Sequence, residues 1–96
     1  MPEYRLSPAA QGDLDSIFDY TATEWGLKQA VRYTQLLEVT CADLAGAPLQ
    51  GKDCSLIQPG YRRRAVGHHF IYYRITDYGI AVVRILHEKM LAPLHL

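Results

Sequence analysis

The chain has 96 residues, 49% of them apolar, and its ten acids match its ten bases. Such a length gives one domain (residues 1–96) with a modest core that needs neither disulfide nor metal, and the apolar share excludes disorder. No apolar run approaches the ~18 residues of a membrane span, and Met1-Pro2-Glu3-Tyr4 lacks the layout of a signal peptide. The expectation is a cytoplasmic protein with no membrane contact, no metal and no cofactor, in which Cys41 in a helix core and Cys54 in a loop are reduced.

Charge divides the chain unevenly. Residues 1–53 carry eight acids against four bases, whereas residues 54–96 carry two acids against six bases and all four histidines. Either the two halves neutralise each other within the fold, or the basic half meets something anionic, a nucleic acid or an acidic partner segment.

Glu3–Leu6 reads as a short strand with Tyr4 and Leu6 on one face. Ser7-Pro8 then opens a helix, Ser7 as cap and Pro8 in the first turn. Ala10, Leu14, Ile17, Phe18 and Thr21 form its apolar stripe, and Asp13 sits where the helix dipole favours an acid. Gly26 breaks the helix, and Trp25 is expected to wedge between helix ends. A second helix, about Lys28 to Ala45, buries Ala30, Tyr33, Leu37, Cys41 and Leu44, and the short connection makes the pair an antiparallel hairpin.

After a connection over 46–59 come three strands, Tyr61–Val66, His69–Ile75 and Ile80–His87, joined through Gly67 and the Thr76-Asp77-Tyr78-Gly79 turn. In the last, Ala81, Val83 and Ile85 alternate with Val82, Arg84 and Leu86; both sets are largely apolar, so the strand belongs inside the sheet. The order β-α-α-β-β-β predicts a two-layer α+β domain, with an N-terminal helical hairpin packed on an antiparallel meander.

Chemistry-bearing motifs are sparse: there is no phosphate loop, no HExxH and no catalytic triad. His68 and His69, adjacent at a strand entry, should face opposite ways. His87 ends the last strand near Arg84, and the two could serve phosphodiester cleavage or hold the C-terminal tail. Arg62, Arg63, Arg64 and Arg74 could bind phosphate or the carboxylates of a peptide. Tyr72 and Tyr73 split across the sheet, one in the core and the other bordering a groove. In the tail, Met90, Leu91, Leu94 and Leu96 either pack on the helices or form an exposed patch for a partner. DNA binding by this chain alone is not expected, since it is neutral and shows no recognition helix.

Leu6-Ser7-Pro8-Ala9-Ala10 with Asp13-Leu14, Ile17-Phe18-Asp19-Tyr20-Thr21 with Trp25-Gly26, Gly60-Tyr61-Arg62-Arg63, His69-Phe70-Ile71-Tyr72-Tyr73-Arg74 and Val83-Arg84-Ile85-Leu86-His87 together resemble the ParE-type toxins of the RelE/ParE superfamily. The resemblance covers nearly the whole chain. It implies the toxin fold, a ParD-like antitoxin as partner, and DNA gyrase as target, with no catalysis by the toxin. The RNA-cutting branch of the superfamily carries an arginine in the second meander strand where this chain has Phe70, and a phenyl ring cannot stabilise phosphorane charge. Two alternatives stay open: a ribosome-dependent endoribonuclease using Arg84 and His87, and an inactive toxin fold that only binds antitoxin. Antitoxin or target contacts are expected among Arg62, Arg63, Arg64, Arg74, Arg84, His87, Met90, Leu91 and Leu94.

Overall fold

The computed structural model describes all 96 residues. In chain order the elements are strand β1 (Glu3–Leu6), helices α1 (Pro8–Trp25) and α2 (Leu27–Gly46), a two-residue strand β2 (Lys52–Asp53), and strands β3 (Tyr61–Val66), β4 (His69–Thr76) and β5 (Gly79–His87). They build one five-stranded sheet in the order β1-β5-β4-β3-β2. The expected meander is there, with β2 as an addition inside the connection, where two residues are too few to leave a periodic signal. β1 pairs parallel to β5, so β5 lies between β1 and β4 as its apolar composition suggests.

The helical hairpin covers one face of the sheet. Ala10, Leu14 and Ile17 of α1, with Leu37, Cys41 and Leu44 of α2, meet Ile71, Tyr73, Ile80, Val82 and Ile85 in the main core. Burying these side chains is the largest stabilising contribution, about 1.5–3 kcal/mol for each large one. Burial also pushes the Cys41 thiol up to about 12, so it stays protonated and acts as a small apolar group.

A second, smaller core lies on the opposite face. There Cys54, Tyr72, Leu86 and Ala92 are buried, with Ile57, Tyr61, Phe70 and Leu96 packed around them. The loop after β2 and the C-terminal tail therefore cover part of the sheet that the helices leave open.

Three details depart from the sequence reading. A β-bulge pairs Tyr73 with Val82 and Tyr72 with Arg84, leaving Val83 with no residue opposite. One extra residue inverts the alternation, so Ile85 joins Ile80 and Val82 in the main core, while Leu86 enters the second. Tyr72 and Tyr73 do split across the sheet, but both are buried, because loop and tail cover the second face too. Trp25 is 73% exposed at the tip of the hairpin, the last residue of α1, rather than wedged between helices.

Close approaches fix two glycines, one by a neighbouring backbone and one by a side chain. Gly79 opens β5 at φ 141 against the backbone of Glu3, so a Cβ there would strike β1. Gly51 lies against the Tyr73 ring; its N–H donates to the Tyr73 hydroxyl (3.0 Å), which in turn donates to the Pro48 carbonyl (2.6 Å).

Candidate functional site

α1 does more than cover the sheet. β1 ends at Leu6, and beyond that point the edge of β5 would carry unpaired backbone groups. Side chains at the start of α1 take them. Ser7 accepts from the Ala10 N–H as helix cap and donates to the Val83 carbonyl (2.7 Å). Asp13 accepts the Ile85 N–H (2.9 Å) and receives a forked pair of bonds from Arg84, Nε to Oδ2 at 2.7 Å and Nη2 to Oδ1 at 2.8 Å. Arg84 also reaches the His95 carbonyl with Nη1 (3.2 Å), so one guanidinium ties α1, β5 and the tail. The task of Asp13 is this pairing and not the expected support of the helix dipole, because α1 starts at Pro8 and carries no acid in its first turn.

The remaining arginines sort by face. Arg62 donates to the carbonyls of Gly51 and Leu49, stapling the connection to β3. Arg63 lies 4.2 Å over the Phe70 ring and near the Tyr72 hydroxyl, on the face away from the helices. Arg64 and Arg74 are exposed and make no ion pair or side-chain hydrogen bond. Two of the five expected contact arginines are therefore committed inside the fold, and Arg74, Arg64 and in part Arg63 remain for a partner.

His87 belongs to a cluster the sequence did not suggest. His68 lies in the β3–β4 turn, not on the strand, and its ring stacks on that of His87 at 6.2 Å. His69 pairs across the sheet with His87, their rings edge to face at 5.2 Å. The turn thus brings both neighbouring histidines to one ring of β5, against the expectation of opposite faces. His69 Nδ1 lies 2.6 Å from the Tyr33 hydroxyl, and its half-buried place beside two other histidines pulls it down to about 4. His87 Nδ1 accepts the Lys89 N–H (3.1 Å), and Glu88 sits 3.2 Å from His68. No three His, Cys, Asp or Glu side chains are arranged to hold a metal ion.

Two apolar surfaces stand out. The tail exposes Met90, Leu91 and Leu94 at 46%, 66% and 75%, while Ala92 and Leu96 anchor it on the second core. Near the hairpin tip, Tyr20, Trp25, Leu27 and Val31 are also exposed, Leu27 and Val31 one turn apart on α2. The sequence reading missed this second patch, although Leu27 and Val31 fall outside the buried stripe of α2 and give the signal.

A helical hairpin packed on one face of a five-stranded mixed sheet makes this a two-layer α+β domain. The chain belongs to the ParE toxin family of type II toxin–antitoxin systems: the family model, described as ParE toxin of the type II toxin-antitoxin system parDE, matches residues 4–92. Toxin ParE1 of Mycobacterium tuberculosis is 44% identical over 88 residues, 91% of this chain and 90% of that protein. Toxin ParE1 of Caulobacter vibrioides is 38% identical over 96 residues, covering 100% of this chain and 99% of its own. Toxin ParE of Escherichia coli is also 38% identical, over 94% of this chain and 88% of its own. In three dimensions the fold is similar to a chain from the chromosomal ParDE system of P. aeruginosa, with a TM-score of 0.78 and 22% identity over 91% of this chain and 96% of the other.

Proposed function

We propose that this toxin arrests growth by binding and poisoning DNA gyrase, without catalysis of its own, and that a ParD-like antitoxin neutralises it. The observation that carries the non-catalytic part is the fate of Arg84. A nuclease needs a guanidinium free to meet phosphorane charge, and this one is forked onto Asp13. Phe70 fills the place of a second cleaving arginine and instead supports Arg63. His87 has its Nδ1 occupied by the Lys89 N–H. These features favour gyrase binding over ribosome-dependent RNA cleavage.

The antitoxin part draws support from the ParDE name of the similar structure and from the surfaces left uncovered. The exposed apolar residues of the hairpin and the unpaired arginines of the sheet suit a segment that folds as it wraps the toxin. Purified toxin, freed of antitoxin, is to be incubated with gyrase, ATP and relaxed plasmid. Lost supercoiling together with trapped cleaved DNA is the expected outcome. Normal supercoiling alongside messages cut on translating ribosomes would replace this reading by the endoribonuclease one, and a folded chain harmless in both assays would leave an antitoxin-binding module.

A further inference from the structure

The sheet face away from the helices is only partly covered. At its uncovered end one row of cross-strand neighbours runs Arg5 (β1), Ala81 (β5), Arg74 (β4) and Tyr61 (β3). Adjacent strands are about 4.8 Å apart, so the two arginine backbones stand about 10 Å from one another, with only a methyl group between them. Two long cations flanking a small residue leave a hollow. Its volume is about 330 Å³, and Arg5, Tyr61, Arg74, Tyr78, Ala81 and Val83 are among the residues that line it.

The two walls differ in readiness. Arg5 is held in place: its Nε and Nη2 donate to Glu3 Oε1 (2.9 and 2.6 Å), and its guanidinium lies 3.9 Å over the Tyr78 ring. This leaves Nη1 of Arg5 uncommitted. Arg74 makes no ion pair or side-chain hydrogen bond, so its whole fork is free. The floor is apolar and aromatic.

We propose that this hollow seats a carboxylate of an acidic, extended peptide segment, gripped by the Arg74 fork and the free nitrogen of Arg5, with an adjoining apolar side chain over Ala81 and the two tyrosine rings. It deepens the function proposed above by naming the chemistry of one partner contact, and rests on that reading only for the identity of the partner. A peptide suits the charge better than a nucleic acid does. Glu3 already offsets Arg5, and Asp77 lies close enough to act on it, so the hollow carries little more than the single charge of Arg74. A run of phosphates requires several cations in line; one or two carboxylates spaced by apolar residues do not.

The test uses the full chain, isotope-labelled, titrated with an acetylated pentapeptide of alternating glutamate and leucine and with its glutamine counterpart. Saturable amide shifts at Arg5, Tyr61, Arg74 and Ala81 are expected in the millimolar range with the glutamate peptide alone. Arg74→Gln, at an exposed site, should weaken that binding about tenfold, and Arg64→Gln, at another exposed arginine outside the hollow, less than about twofold. Equal shifts with the glutamine peptide, equal losses in the two variants, or no shift at these amides would overturn the proposal. A short single-stranded oligonucleotide shifting the same amides at lower concentration would overturn it in favour of a phosphate seat. The plasmid assay is independent. Peptide bound but supercoiling untouched refutes the target, whereas supercoiling lost without peptide binding refutes the hollow.

Discussion

Asp13 and Arg84 stand 71 positions apart in sequence and meet in a two-pronged ion pair that also takes the Ile85 N–H. Their side chains are 15% and 22% exposed, so water screens the pair less than a surface bridge. Removing Asp13 leaves both the Arg84 charge and the Ile85 N–H without their acceptor, whereas removing Arg84 leaves only the Asp13 charge without its partner. Asp13→Ala is therefore expected to cost about 2–3 kcal/mol, and Arg84→Ala less. In urea unfolding the double variant should lose much less than the two single losses added together. Additive losses would mean that the two residues act separately and that Arg84 is free for a partner.

Tyr73 shows a different kind of dependence. Its ring is fully buried, and its hydroxyl connects Gly51 and Pro48, the two ends of the turn before β2. Tyr73→Phe keeps the ring and strands one donor and one acceptor, so a loss of about 1–3 kcal/mol is expected. Amide exchange at Gly51 should quicken before that of the β4 amides does. Unchanged exchange at Gly51 would show that the backbone of the connection holds without the hydroxyl.

Acid should weaken the fold through His69. Its folded value, about 4, lies below the ordinary 6.5, so between these values the unfolded chain binds more protons than the native one. Stability then rises with pH across that window and is lost as pH falls from about 6.5 toward 4. The groups around it are Tyr33 of α2, Asp13 of α1, His68 in the turn, and His87 and Glu88 at the end of β5. Because the ring is only half buried, the contribution is about 2 kcal/mol. His69→Gln should flatten the stability profile over pH 4–6.5 relative to the parent chain; parallel profiles would place the acid sensitivity elsewhere.

Much of the fold was legible because its elements obey local rules. The stripe of α1, the Ser7 cap and the turns at Gly67 and Gly79 are set by neighbours a few residues apart. What escaped was non-local. Nothing near Val83 announces a bulge, yet the bulge decides which of Val82, Ile85 and Leu86 face the helices. The bond between Asp13 and Arg84 depends on β1 ending at Leu6 beside β5, a parallel pairing that neither strand reveals alone. The same pairing sets Arg5 beside Ala81 and Arg74. Alternation already put Arg5 opposite Tyr4 and Leu6, but only the register supplied its neighbours.

Trp25 offers a direct probe of the helical hairpin. It is the only tryptophan and is 73% exposed, so its emission should be that of an indole in water. If the antitoxin covers the hairpin tip, adding it should shift the emission to the blue and protect the ring from a soluble quencher. Binding detected by calorimetry with no change in emission would move the antitoxin to the sheet face.

The tail gives the sharpest separation of folding from function. Leu91 and Leu94 are well exposed and Met90 about half so, and it is Ala92 and Leu96 that fasten the segment to the second core. Replacing the three by serine should leave stability within about 0.5 kcal/mol, since little buried apolar area is lost. If these side chains meet the target, the triple variant should remain folded and still bind antitoxin, yet no longer inhibit supercoiling. Full inhibition by the variant would assign target contact to the arginine face instead. A lowered unfolding midpoint would show that the three pack onto the fold, where they would be unavailable to any partner.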